Sequence, residues 1–315
     1  MALAVTRYLL RRVLLMVPTF VGITLLTFVV AQWAPGDPFQ LDLETAGPSQ
    51  AAIDSQRAAS GLDAPVPVQF ARWFSRVVRF DFGRSLVDQR LVIDKLTEAM
   101  PRTVLVAGLA LVLGFGLAVP LGVQLAVHRR RRWARVVEFT LIAAWSVPSF
   151  WIAVVLLMLF ASPRFFEWFP VQGLADGGFV LPVVCLTWPT LVVATRQVRS
   201  AMTDALAQDY VKAARARGIP EARVVWRHAL RNSLLPVVTM LGLHLPHLVG
   251  GSVVIERIFG IPGMGLMAFD AIGGRDYPSV MGAATVMAVV TMVSMLLVDV
   301  AYAFIDPRIR LEKAS

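Results

Sequence analysis

The sequence contains little cysteine, little lysine and few charged residues for its length. Cys185 is the only cysteine among 315 residues, which excludes an intramolecular disulfide framework and a metal site built from several cysteines. Charged residues make up 16% of the chain, whereas hydrophobic residues make up 57%. A soluble domain has nearer to about 25% charged residues, so the composition indicates a membrane protein rather than an ordinary cytosolic enzyme.

Motifs for hydrolysis are also lacking. A phosphate-binding P-loop places a lysine between glycine and serine or threonine. The three lysines of the chain, Lys95, Lys212 and Lys313, instead follow aspartate, valine and glutamate. The sequence offers neither a Ser/His/Asp pattern nor an HExxH motif. We therefore expect no catalytic, cofactor-binding or metal-binding residues, and any energy from ATP has to come from a partner.

Six uncharged stretches are long enough to cross a bilayer as helices. The hydrocarbon core is about 30 Å thick, so a helix needs about 20 apolar residues to cross it. The first stretch is longer than the core of a signal peptide, and we expect it to be retained. We predict an all-α integral membrane protein with six transmembrane helices in one membrane domain. The stretches are Val13–Gly36, Thr103–His128, Phe139–Pro163, Gly177–Thr195, Asn232–Ile255 and Tyr277–Val298.

Basic residues in the short loops predict the orientation, because such residues are enriched on the cytoplasmic side. On the other side, the short loops contain only Arg164, Arg257 and Arg275. We expect both termini to be cytoplasmic. The net charge of +9 then reflects orientation in the membrane, and nucleic-acid binding is not expected. The basic residues on the first side are Arg7, Arg11, Arg12, Arg129–Arg132, Arg135, Arg196, Arg199, Lys212, Arg215, Arg217, Arg223, Arg227, Arg231, Arg308, Arg310 and Lys313.

The segment between the first two predicted spans, residues 35–100, is rich in proline and glycine. Within it, apolar residues recur at helical spacing from Val66 to Val78, and Pro65 and Pro67 suit the start of a helix. Two interpretations remain open. The segment forms a small folded cap, or its apolar stripe lies on the membrane surface or on the second span.

The segment between the fourth and fifth predicted spans predicts a helix, a tight turn and a second helix. Alanine-rich sequence from Asp204 to Arg217 favours helix, Gly218 suits a left-handed cap, and Pro220 can begin the next helix. Small residues would let such a helix enter a groove on a partner protein. The alternative is a basic loop that lies along the lipid headgroups. Ala213, Ala214 and Ala216 are the small residues, and Lys212, Arg215 and Arg217 are candidate partners for carboxylates.

Polar and aromatic residues within the spans are candidates for lining a pathway, although ordinary packing explains them equally well. Charged residues at the span ends do not form a row of buried acids, which argues against a proton-driven secondary transporter. The candidate lining residues are Trp145, Ser146, Trp188, Thr195 and His244.

The order of residues indicates a particular protein family, which the composition does not. The run DYVKAARARGIP at 209–220, continued by RHALRNSLLP at 227–236, resembles the EAA loop of ABC importer permeases, and in particular the dipeptide/oligopeptide (and nickel) permease family. Similar motifs follow in family order along nearly the whole chain. They are PGDP at 35–38, GLD at 61–63 with Pro65 and Gln69, DFGRSL at 81–86, PRT at 101–103, ERIFGIPGMG at 256–265, RDYP at 275–278 and DPR at 306–308.

The resemblance implies a type I ABC importer (MetI-like) permease fold in the bacterial cytoplasmic membrane. This chain would form half of a pore with a second homologous permease, two cytoplasmic ABC ATPase subunits or domains would bind ATP and Mg, and an extracytoplasmic substrate-binding protein would deliver the cargo. Residues 1–34 would hold the first helix, 35–100 the extracytoplasmic cap, and 101–315 the core with its EAA loop at 200–232.

The EAA loop would form the coupling helix that docks on an ATPase. The first motif position is usually Glu and is Lys212 here, which puts the usual salt bridge in doubt. Peptides are the expected cargo, with nickel or another small solute as the alternative. The alternatives from other functional classes are a secondary transporter and a membrane scaffold without transport activity. The coupling residues are Asp209, Tyr210, Lys212, Ala213, Ala214, Arg215, Arg217 and Gly218.

Overall fold

A computed structural model describes residues 2–33, 64–245, 250 and 252–305. Three of the motifs, at 35–38, 61–63 and 306–308, lie outside these residues, as does most of the first half of the predicted cap segment.

The described chain is helical, and the predicted all-α class is confirmed. One isolated bridge pairs Arg84 with Leu91. A 3₁₀ turn covers Ala175–Gly177, and a π-helical segment covers Val224–Ala229. The α-helices are α1 (Ala2–Trp33), α2 (Val66–Val77), α3 (Val92–Val127), α4 (Arg132–Trp145), α5 (Ser149–Phe160), α6 (Val180–Ala207), α7 (Asp209–Ala216), α8 (Glu221–Arg223), α9 (Leu230–His244), α10 (Val253–Ile258), α11 (Met264–Gly273) and α12 (Tyr277–Ile305).

Within the described residues, four helices are long and apolar enough to cross a membrane, namely α1, α3, α6 and α12. The third predicted span is a bent pair, α4 and α5, whose axes differ by 97°. Pro148 begins α5 at this break, where its ring removes a backbone donor. Counting the pair as one gives five spans. The fifth predicted stretch starts with α9, which has 15 residues, and part of its remainder lies outside the described residues.

The centre of the fold is the contact between α3 and α6, which is the most extensive helix contact in the described structure. Gly122 of α3 permits this approach, because a Cβ there would lie 2.7 Å from the Cβ of Val198 and 2.8 Å from the carbonyl oxygen of Thr195. Small residues that let helix backbones approach closely are common in membrane helix packing. Buried apolar residues of α9 and of the π-helical segment complete this core.

Helix α2 begins at Val66, as the spacing of apolar residues predicts, with Pro65 as its N-cap. Its apolar face packs on protein: Trp73 and Val77 are buried in one cluster with Phe28 of α1 and Leu96 of α3. The ring centroids of Phe28 and Trp73 are 5.8 Å apart. The stripe therefore contacts the first and second spans in the structure.

The two ends of the bundle can be told apart by their contacts. At the Arg12 end, the guanidinium of Arg12 lies 2.9 Å from the carboxylate of Asp299 and joins α1 to α12. At the Trp33 end, α1 finishes while α3 and α12 begin. The segment that contains α7 and α8 begins where α6 ends, at Ala207.

Candidate functional site

The predicted coupling segment is a short helix with its own start and end. The sequence predicts one helix from Asp204 to Arg217, and this is wrong in one respect: the chain breaks at Gln208, whose ψ of 153° is extended. Residues 204–207 finish α6, and α7 begins at Asp209. The break gives α7 a direction independent of the long helix before it.

One face of α7 is anchored in the chain's own core. Val211 is completely buried and Ala214 is 5% exposed, in one cluster with Met202 and Val224. Ala214 therefore holds α7 against α6 and the π-helical segment. Of the two motif alanines, Ala213 is the exposed one.

The opposite face of α7 is exposed and polar. Tyr210 is 39% exposed, and the side chain of Lys212 is 66% exposed. The ammonium of Lys212 lies 2.8 Å from the carboxylate of Asp209 one turn earlier. The hydrogen bond from Lys212 holds the pKa of Asp209 below its ordinary value. Lys212 is thus exposed and paired within its own helix.

The predicted helix, turn and helix are confirmed around Gly218. This residue has a φ of +71°, the left-handed region that glycine adopts most readily, and its N–H donates to the carbonyl of Arg215. Pro220 is then the N-cap of α8, as predicted. The guanidinium of Arg215 spans the turn and donates to both carboxylate oxygens of Glu221, at 3.1 and 2.7 Å. This contact holds the pKa of Glu221 below its ordinary value. Arg217 is exposed at the end of α7.

Three of the candidate lining residues lie together at the break between α4 and α5. Trp145 and Ser146 are exposed there, and the indole of Trp188 on α6 donates to the carbonyl of Ala144 at 3.2 Å. The other two are elsewhere. Thr195 is completely buried beside α3, and its hydroxyl makes no hydrogen bond to any of the described residues. The ring of His244 on α9 contacts Phe115 of α3 at 6.0 Å between centroids. Their pathway roles stay predictions.

Sequence reasoning missed a pair of buried carboxylates at the Trp33 end. The first is Glu256 of α10, which is 5% exposed. One of its oxygens accepts from the hydroxyl of Thr103 at 2.7 Å, and the other accepts from the backbone N–H of Leu266 at 2.7 Å. The loop from 256 to 266 therefore folds around this carboxylate and is tied to α3.

The second buried carboxylate is Asp276, which is 1% exposed before α12. It accepts from the hydroxyls of Ser85 and Ser279, each at 2.6 Å, and from the backbone N–H of Leu86 at 3.0 Å. The ammonium of Lys95 lies 3.5 Å away. The motif at 81–86 is thus bound to the motif at 275–278, just as the motif at 101–103 is bound to the one at 256–265. The position of each acid within a glycine-rich or turn-rich motif was the signal that could have marked Glu256 and Asp276 as candidates, although it does not identify the motifs that they bind.

Comparison with known proteins decides the family. Residues 118–311 match the family model described as the inner membrane component of binding-protein-dependent transport systems, and residues 5–107 match the N-terminal model of such components. The chain belongs to this family. It is a multi-pass permease of the inner membrane, and the family is one of membrane permeases rather than of catalytic subunits. The family's description implies a binding protein as a partner of its members in general.

Individual relatives match almost from end to end. The oligopeptide transport system permease protein AppB of Bacillus subtilis is 36% identical over 314 residues, covering 96% of this chain and 98% of the relative. The glutathione transport system permease protein GsiC of Salmonella paratyphi A is 35% identical, with the same coverage. A putative peptide permease protein of Brucella ovis is also 35% identical, over 319 residues. The resemblance inferred from the motifs is thereby confirmed.

Proposed function

We propose that this permease is one transmembrane subunit of an ABC importer for peptides, driven by ATPases that bind the exposed face of α7. The observation that carries the proposal is the two-sided character of α7. Val211 and Ala214 fix one face to the core, while Tyr210, Lys212 and Ala213 leave the other face open to a partner.

The contacts of α7 suit the transmission of movement. A partner that displaces α7 also displaces Met202 of α6 and Val224 of the π-helical segment, because these side chains share one buried cluster. Close-packed protein interiors have low compressibility and transmit strain. The turn at Gly218 connects α7 to α8, and the exposed Arg215–Glu221 pair spans it.

The energy source follows from the family and from the sequence. None of the three lysines lies in a P-loop motif, so ATP and Mg are assigned to two partner ATPase subunits or domains. A second homologous permease completes the pore, and an extracytoplasmic binding protein delivers the cargo. Peptides are the cargo that the names of the relatives favour, since these include oligopeptide, glutathione and peptide permeases.

The proposed topology has six membrane spans, with both termini in the cytoplasm. The bent pair α4 and α5 is counted as the third span, and α9 begins the fifth. The Trp33 end would face outward, so that α2 belongs to an extracytoplasmic cap within residues 35–100. Basic residues in the loops of the Arg12 end support this orientation.

The proposed mechanism is alternating access. Closure of the two ATPases on ATP draws the two coupling helices together, and each α7 carries its buried core with it. The break between α4 and α5, where Trp145, Ser146 and Trp188 lie, is the proposed place where the pathway changes shape.

Affinity purification of the full chain from its native membrane in mild detergent tests the coupling surface. Ala213→Glu places a carboxylate on the exposed face of α7 without entering the core. We expect a P-loop ATPase and a second permease to accompany the wild-type chain, and the ATPase to be reduced at least tenfold in the variant. The matched control is Ala71→Glu, on the exposed side of α2. Equal ATPase recovery from both variants would place the docking surface elsewhere.

A further inference from the structure

Helix α2 packs along the side of the apolar helix α1, not beyond its end at Trp33. The ring of Phe70 contacts Phe28 of α1 at 5.5 Å between centroids, and the ring of Phe74 contacts Phe20 at 6.1 Å. Phe20 precedes Trp33 by about 20 Å of helix, at about 1.5 Å per residue. Helix α2 therefore runs beside the half of α1 that ends at Trp33. In the proposed topology, this half of α1 crosses the outer leaflet.

Three arginines occupy the face of α2 that the bundle leaves open. Arg72 and Arg76 are one helical turn apart, and Arg79 follows in the turn after the helix, so that all three recur at helical spacing. All are exposed, while Trp73 and Val77 are buried on the other face. Within the described part of the chain, none of the three forms an ion pair with a carboxylate. Three guanidinium groups that form no ion pair within the described residues are therefore available to bind anions on this open face.

Exposed apolar side chains follow these arginines in the chain and occur on the neighbouring helix α1. Val78 is 59% exposed and Phe80 is 70% exposed. Phe80 has a φ of +60°, a left-handed conformation that residues with side chains rarely adopt. On the neighbouring helix, Val30 and Trp33 are also exposed. Exposed aromatic and aliphatic groups combined with arginines on one surface are typical of contact with lipid headgroups and the upper acyl chains.

We propose that Arg72, Arg76 and Arg79 form a binding site for the phosphate groups of anionic phospholipids. A guanidinium binds phosphate through two parallel hydrogen bonds, which makes arginine the suitable cation for such headgroups. Val78 and Phe80 insert among the acyl chains next to the bound headgroups. The proposal depends only on the position of α2 in a bilayer, so it stands or falls independently of the ATPase contacts and of the cargo.

Native mass spectrometry of the full chain tests this site, with phosphatidylglycerol titrated into a neutral detergent and phosphatidylcholine as the uncharged comparison. In the variant Arg72→Gln, Arg76→Gln, Arg79→Gln, we expect the apparent affinity for phosphatidylglycerol to fall by roughly tenfold or more. The matched control is Arg217→Gln, Arg223→Gln, Arg227→Gln, which removes the same charge from exposed positions around α7 and α8. It should change that affinity by less than about threefold.

Two further measurements complete the test. One uses a second variant in case the glutamine variant folds poorly, and the other asks whether the ligand is free phosphate rather than lipid. The triple Arg→Lys variant retains the charge but loses the paired hydrogen bonds, so its affinity for phosphatidylglycerol should lie between those of the wild type and the glutamine variant. Inorganic phosphate at a concentration of millimolar order should not displace the lipid. Unchanged lipid binding in the glutamine variant would overturn the proposal. Displacement of the lipid by free phosphate would also overturn it. The proposal would fail as well if the glutamine variant lost affinity for an acidic partner protein but still bound lipid.

Discussion

The hydroxyl of Thr103 donates to the buried carboxylate of Glu256 at 2.7 Å and accepts a hydrogen bond from the backbone N–H of Met264 at 2.8 Å. One side chain on α3 thus fixes both ends of the loop that joins α10 to α11. Gly263 packs so closely here that a Cβ would lie 2.4 Å from a Glu256 carboxylate oxygen. The loop has little freedom to move separately from α3.

Replacement of Glu256 by alanine should destabilise the protein. The buried hydroxyl of Thr103 and the N–H of Leu266 would lose their acceptor, and each unsatisfied group costs roughly 1–3 kcal/mol. We expect a clear drop in the thermal midpoint of the purified chain in detergent. The control is Glu98→Ala, which breaks only an exposed ion pair with Arg90 and should have a small effect. Similar midpoints for the two variants would contradict the account.

Asp276 and Asp88 allow a second matched comparison, because both approach Lys95. Asp276→Ala removes the acceptor of two hydroxyls and one backbone N–H in the interior, and should cost about 3 kcal/mol or more. Asp88 is 38% exposed, so Asp88→Ala should cost less than about 1 kcal/mol. The free energy of unfolding in detergent measures both. An equal loss would mean that the buried network is not what stabilises the start of α12.

The close approach of α3 and α6 predicts opposite effects for two glycines in one helix. Gly122→Ala forces its Cβ against Val198 and a backbone carbonyl, and overpacking of this kind costs roughly 1–3 kcal/mol. Gly116→Ala meets nothing within 4 Å, so it should be neutral or slightly stabilising. Thermal melts of the two variants under one condition distinguish them. If both variants melt alike, the α3–α6 contact is looser than described.

The turn after α7 should depend on the conformation of Gly218. Gly218→Ala places a side chain at a φ of +71° and should cost roughly 1 kcal/mol, whereas asparagine tolerates this region better. Hydrogen exchange over residues 209–220 should therefore be about fivefold faster in the alanine variant than in the wild type. Gly273→Ala has open space and an ordinary φ, so it should leave exchange in that segment unchanged. No acceleration in Gly218→Ala would show that the turn does not restrain α7.

Much of the architecture could be read from the sequence because bilayer thickness imposes a length on apolar runs. Four runs became long helices, and the patterns around Val66, Gly218 and Pro220 predicted local structure correctly. The break at Gln208 was not predictable, because helix propensity is continuous across it and packing of Val211 decides the direction of α7.

Pairing between distant motifs could not be predicted either. Glu256 and Asp276 are isolated acids in the sequence, and only the folded chain brings Thr103 and Ser85 to them. The inward position of Ala214 has the same origin, since composition cannot tell which alanine of a short helix meets the core.

Peptide uptake into proteoliposomes tests the central claim most directly. The full chain is reconstituted with its co-purified permease and ATPases, and uptake of a labelled peptide is measured with its binding protein, with and without ATP. The account predicts uptake that requires ATP and falls at least tenfold in Ala213→Glu, while Ala71→Glu retains most of it. Uptake that proceeds without nucleotide, or that Ala213→Glu leaves unchanged, would contradict it.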